Sequence, residues 1–125
     1  MQKKFIIFII LVVLIVGGFG AYFTLKTSGP GKLDGFAQCL KTSGAQFYGA
    51  FWCPHCQKQK ELFGSSKKYL PYIECSTSDG QGTNQICKDK KIEGFPTWVF
   101  ADESRLTGEL SLITLASKTQ CLLPQ

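Results

Sequence analysis

Histidine and methionine are almost absent from this sequence, with one of each in 125 residues, and acidic side chains are few, nine against 14 basic. A zinc ribbon needs a second Cys-x-x-Cys or a histidine pair. Here the lone histidine, His55, lies inside the one Cys-x-x-Cys that the chain contains, so a metal site is not expected. The basic excess is also too weak to indicate nucleic acid. Residues 26–125 carry 12 basic and 9 acidic side chains, a net charge of +3, and Lys58, Lys60, Lys67 and Lys68 are spread through amphipathic segments, the pattern of a solvated face.

Charge is missing altogether from Phe5 to Leu25, and Phe5 to Val16 contains only Phe, Ile, Leu and Val. That length suits a membrane-spanning helix better than the shorter apolar region of a cleaved signal. Residues 1–25 are therefore expected to form an N-terminal anchor, with Tyr22 and Phe23 near the outer interface. Gly18-Phe19-Gly20 offers a cleavage site, so secretion after signal removal is the alternative. Lys3 and Lys4 precede the span and predict a cytoplasmic N-terminus with an extracytoplasmic body. Six cysteines suit an oxidising compartment. Residues 26–32, rich in Thr, Ser, Gly and Pro, read as a linker, and residues 33–125 as one domain.

The chemistry is concentrated in Cys53-Pro54-His55-Cys56. An apolar run, Phe47-Tyr48-Gly49-Ala50-Phe51-Trp52, precedes it, and a helix-like stretch from His55 to Phe63 follows. Pro54 suits the first helical position, which puts Cys53 at the helix N-terminus. There, free N–H groups and the positive end of the dipole favour a thiolate. A charged His55 adds a second stabiliser. Cys56, one turn further in, is expected to be the shielded resolving thiol, and Trp52 a wall of the active-site surface. Trp98 reads as core.

Around this motif the periodicity predicts a helix from Leu33 to Thr42, stopped by Gly44, and a buried strand from Gln46 to Phe51. The helix after the dithiol ends at Gly64. A second strand spans Tyr69 to Cys75, interrupted by Pro71, and Ser76 to Gly82 is a loop. A short helix follows from Asn84 to Lys91. Thr97 to Ala101 and Arg105 to Glu109 form an antiparallel pair about a turn at Asp102 to Ser104. A last helix starts at Ser111, with Leu112, Leu115, Ala116 and Thr119 as its apolar stripe, and Cys121 closes it.

This order, and the segment from Phe47 to Cys56, resemble thioredoxin-like proteins. The resemblance implies an α/β fold, a central mixed sheet flanked by helices. It extends to Glu93-Gly94-Phe95-Pro96-Thr97, similar to the loop in which the family carries a cis proline that packs on the dithiol and helps to bind substrate. Phe95, Pro96 and Thr97 thus become supporting site residues beside Trp52, Pro54 and His55. Over Phe36 to Cys121 the chain looks most like the thioredoxin-like domain that accompanies vitamin K epoxide reductase-type membrane enzymes. Gln59 to Gly64, Pro71 to Cys75, Cys87 and Phe95 to Trp98 carry that likeness. It implies protein thiols as substrates, no cofactor, and reoxidation by a quinone-linked membrane partner. Cytoplasmic thioredoxins carry a buried aspartate six positions before the first active cysteine; this chain has Phe47, which tilts the expectation toward an oxidant.

Four cysteines remain. Cys75 and Cys87 are close enough in sequence for a disulfide, read either as a structural staple or as a second exchanging pair. Cys39 and Cys121 lie near the two ends of the domain, which are often neighbours, and are paired on that ground. The expected function is a membrane-anchored protein disulfide oxidoreductase acting through Cys53 and Cys56. The alternatives are an extracytoplasmic reductase of apocytochrome or copper-site thiols, a metal-binding module using Cys53, His55 and Cys56, and an interaction domain with a structural dithiol.

Overall fold

A computed structural model of the chain describes residues 1–25 and 29–125, with side chains for residues 1–19 and 29–125. The expected linker lies partly outside the described residues, as do the side chains of Tyr22 and Phe23. Helix α1 spans Gln2–Leu25. Its Gln2–Phe19 window is long and apolar enough to cross a bilayer, a property shared by membrane anchors and signal sequences.

Helix α2, Asp34–Thr42, places an acidic side chain in its first turn and Lys41 in its last, matching the charges at its two ends. Phe36, Ala37 and Leu40 form its buried face. Gly44 adopts φ +83°, a left-handed conformation that glycine enters without steric cost, and turns the chain into the sheet. Strand β1, Gln46–Gly49, is central. It runs parallel to β2, Tyr72–Glu74, and antiparallel to β3, Thr97–Val99. Strand β4, Arg105–Thr107, pairs antiparallel with β3 and completes the order β2-β1-β3-β4. This mixed sheet flanked by helices is a thioredoxin-like fold.

Alternation along the strands builds two cores. Phe47 and Trp98, partners across β1 and β3, stack 4.8 Å apart in the larger cluster with Phe36, Leu40, Phe63 and Leu115. The next residues along, Tyr48 and Val99, pack in a second cluster with Cys75 and Cys87. Trp98 is fully buried.

The remaining helices are α3, Pro54–Glu61, α4, Gln85–Asp89, and α5, Leu112–Thr119. Ser111 caps α5, its hydroxyl accepting the Thr114 N–H at 3.0 Å, and Leu115 is its buried residue.

Several element limits depart from the sequence expectation: α3 ends at Glu61 rather than Gly64, β3 at Val99 rather than Ala101 and β4 at Thr107 rather than Glu109. The strand expected to reach Phe51 stops at Gly49, because Ala50 begins a turn closed by a 3.0 Å bond from Cys53 N–H to the Ala50 carbonyl. Phe51 and Trp52 extend the apolar run but are about half exposed. The strand expected from Tyr69 begins only at Tyr72. Gly64–Tyr69 is a 3-10 helix, anchored by Ser66, whose buried hydroxyl accepts the Leu33 N–H at 3.2 Å.

Candidate active site

Strand β1 delivers the chain to Cys53, which takes the N-cap position of α3 with extended backbone and Pro54 directly after it. The Cys56 N–H donates to Cys53 Sγ at 3.3 Å. Cys53 Sγ also lies 3.8 Å from the Phe95 carbonyl, in the residue joined to Pro96 by a cis peptide bond. The proline loop and the dithiol, 42 residues apart in sequence, thus meet at one sulfur. Thr97 Oγ1 donates to the Gly94 carbonyl at 2.7 Å and fixes the loop to the start of β3.

Cys53 and Cys56 carry free thiols. Cys53 is 4% exposed and Cys56 fully buried, so Cys53 is the sulfur nearer to solvent. Burial pushes the Cys56 thiol up to about 12; the hydrogen bond with Cys53 adds to the rise, and the Ala50 backbone and, to a smaller extent, the Lys60 charge oppose it. Gly49 lies beneath this sulfur. A Cβ there would stand 2.9 Å from Cys56 Sγ and 2.9 Å from a Tyr72 ring carbon, distances that atoms of this kind do not tolerate.

The rim is aromatic. Trp52 is half exposed, meets Phe95 edge-on at 6.1 Å, and donates its indole N–H to Ser76 Oγ at 2.9 Å. His55 does not stand alone as a cation, since its Nδ1 lies 2.6 Å from Glu109 Oε1. The carboxylate offsets the positive charge that a protonated imidazole presents to Cys53. Gln59, fully buried, bonds both Leu110 backbone groups, accepting from N–H at 2.7 Å and donating to the carbonyl at 3.0 Å. This clamp holds the segment that carries Glu109.

The other four cysteines are paired in two disulfides. Cys39 joins Cys121 with Cα atoms 5.8 Å apart, tying α2 to the chain beyond α5. Cys75 joins Cys87, Cα atoms 5.6 Å apart, inside the second core cluster, whereas Cys53 and Cys56 belong to the first. Among the described residues, no group of three His, Cys, Asp or Glu side chains is placed to hold a metal ion.

Lys60, Tyr72, Glu74, Ser76, Gln59 and Glu109 support the site without having been singled out for it in the sequence. Gln59 offered one local cue, a polar residue three positions after Cys56 on the same helix face. Lys60, four positions after Cys56, shares that helix and face; Tyr72, Glu74, Ser76 and Glu109 arrive from β2, the residues after it and beyond β4, and no spacing rule marks them.

No family model matches the chain. It is similar to a curated plant protein, the thiol-disulfide oxidoreductase LTO1 of Arabidopsis thaliana, at 48% identity over 94 residues, 71% of this chain and 24% of the relative. The chain therefore spans about a quarter of that relative's length.

Proposed function

We propose that this chain is a membrane-anchored, extracytoplasmic thiol-disulfide oxidoreductase that oxidises protein thiols through Cys53 and Cys56. The observation that carries the reading is the state of the six cysteines: four are locked in disulfides, and the remaining two form a free dithiol across one helix N-terminus. Similarity to a thiol-disulfide oxidoreductase supports the same chemistry.

In the oxidised protein a substrate thiolate attacks Cys53 Sγ, the more accessible sulfur. The Cys53–Cys56 bond breaks, a substrate–Cys53 disulfide forms, and Cys56 leaves as a thiolate that takes up a proton. A second substrate thiolate then attacks the substrate sulfur of the mixed disulfide. It completes the substrate disulfide and expels Cys53 as a thiolate, which the Cys56 N–H and the end of α3 favour. The two electrons taken from the substrate then reside in the dithiol. A quinone-linked membrane enzyme of vitamin K epoxide reductase type is the proposed reoxidant, reached from the same leaflet through α1. Phe47 in place of a buried acid supports the oxidising direction.

The test uses the full chain in detergent. Cys56→Ser should accumulate mixed disulfides through Cys53 on non-reducing gels, and Cys53→Ser should not. A Cys56→Ser protein that forms no mixed disulfide with an oxidised protein or with glutathione would overturn the reading. Equilibration with glutathione buffers then sets the direction: a strongly reducing midpoint would assign the chain to reductases.

A further inference from the structure

A buried thiol is a poor leaving group, because its departure creates a charge in a site that water does not reach. Cys56 has that problem: it is fully buried beside the aromatic ring of Tyr72. Strand β1 offers no help, since Gly49, beneath the sulfur, has no side chain. Phe47 is neutral and buried, and stands opposite Tyr72 in the parallel β1–β2 register.

A cation reaches the site by another route. Lys60 follows Cys56 by four residues on α3, which puts both side chains on one helix face. Its ammonium lies 3.3 Å from the centroid of the Tyr72 ring, a cation–π contact. The Tyr72 hydroxyl donates to Glu74 Oε2 at 2.7 Å. Glu74 is fixed in turn, its other oxygen accepting the Ser76 N–H at 2.8 Å and the Phe51 N–H at 3.2 Å. The side chain is thus held in place: Lys60 rests on the ring that borders Cys56, and the ring is tethered to a carboxylate bound to the backbone.

We propose that Lys60, seated on Tyr72 and backed by Glu74, is the positioning charge that stabilises the Cys56 thiolate as it leaves Cys53. The inference rests on the oxidoreductase reading and adds a residue to it. Electrostatics agree with the geometry. The Lys60 charge opposes the rise of the Cys56 thiol, and burial pushes the Lys60 ammonium itself below its ordinary value, against the opposing pull of Glu74 and Cys56; Lys67 adds a smaller downward push. The thiolate of Cys56 exists only between disulfide and thiol. A charge that stabilises it therefore lowers the barrier in both directions by the same amount, while the end states change little.

The experiment follows disulfide exchange of the full chain in detergent, with acid quenching and thiol alkylation. Dithiothreitol reduces the oxidised protein and oxidised glutathione reoxidises the reduced one, between pH 6 and pH 9. Lys60→Met should slow both directions by about three- to tenfold, the effect of losing an opposite charge near a thiolate, and the glutathione midpoint should move far less than the rates. Lys60→Arg should retain the wild-type rates. Lys60→Gln is run in parallel, so a folding failure of the methionine variant leaves the charge test intact. Wild-type rates in the neutral variants, or an arginine variant as slow as methionine, would overturn the proposal and leave the oxidoreductase reading standing. A wild-type protein that exchanges with neither reagent would instead overturn that reading.

Discussion

Gly49→Ala isolates the packing beneath the dithiol. Gly49 lies in β1 with ordinary strand backbone, so alanine meets no conformational penalty there and the effect is one of space. The added methyl would stand 2.9 Å from both Cys56 Sγ and a Tyr72 ring carbon. Neither neighbour moves freely, because Cys56 is on a helix in the core and Tyr72 is held by Glu74 and Lys60. Overpacking of this kind costs about 1–3 kcal/mol. Alanine returns about 0.4–1 kcal/mol by restricting the unfolded chain, so a net loss of about 1–2 kcal/mol is expected. For a domain of this size that corresponds to a fall of roughly 5–15 °C in Tm. Thermal unfolding of the reduced full chain in detergent, followed by near-ultraviolet circular dichroism, measures it. The same variant should exchange disulfides more slowly, since Cys56 and Tyr72 are pushed apart. A Tm equal to or above that of the wild type would refute the reasoning, because it would mean that the sulfur and the ring have room to give.

Three further outcomes are expected. Replacing Cys39 and Cys121 together by serine should cost about 4.5 kcal/mol and replacing Cys75 and Cys87 about 2.8 kcal/mol in the loop-entropy account, from sequence separations of 82 and 12; denaturant titration of each pair, with the dithiol kept oxidised, checks the order. Because burial raises Cys56 from 9.0 to about 12 in the folded protein, the unfolded chain releases this proton first. The reduced protein should therefore lose stability relative to the oxidised one as pH rises above about 9, by up to about 1.4 kcal/mol per pH unit, and parallel melts of the two redox forms read the difference. Gln59→Leu should destabilise by about 2–4 kcal/mol, since it strands the Leu110 N–H and carbonyl together, and Gln59→Glu should recover part of the loss; chemical denaturation compares the three proteins.

The placement of the dithiol was legible because its signals are local. Pro54 at the first turn, the cysteines at i and i+3 and the apolar run before them all act within ten residues, and they set the start of α3 where the structure has it. The proline loop was legible only through resemblance, since nothing in Phe95-Pro96-Thr97 by itself points at Cys53. What escaped the sequence was the set of contacts that cross between elements. Glu109 meets His55 from 54 residues away, and Gln59 meets Leu110 from 51. Strand limits failed for a related reason. Phe51 and Trp52 are as apolar as a buried strand, but their burden is to form an exposed rim, and hydrophobicity does not distinguish the two uses. Tyr69 looks like a strand residue yet lies in a 3-10 helix, because Pro71 delays the ladder until Tyr72.

The division of labour among the cysteines bears on the direction of electron flow. A domain of this length is marginally stable, and two disulfides that leave out the reactive pair, one in each core cluster, constrain its unfolded chain. The fold therefore does not depend on a third disulfide, and Cys53 and Cys56 are free to open. The open form has its own stabilising contacts: the Cys56 N–H on Cys53 Sγ and the Phe95 carbonyl beside it. Closing the dithiol removes the S–H that the Phe95 carbonyl accepts and leaves Cys53 Sγ a weaker acceptor for the Cys56 N–H. By linkage, any contact stronger in the dithiol than in the disulfide makes the disulfide the better oxidant. The Glu109 carboxylate acts in the opposite sense, because it offsets the His55 charge that would add to the same effect. The oxidising reading thus rests on the helix terminus and the proline loop more than on His55. Glu109→Gln should accordingly raise the midpoint only slightly, since the pair is largely solvent-exposed and such pairs are weak.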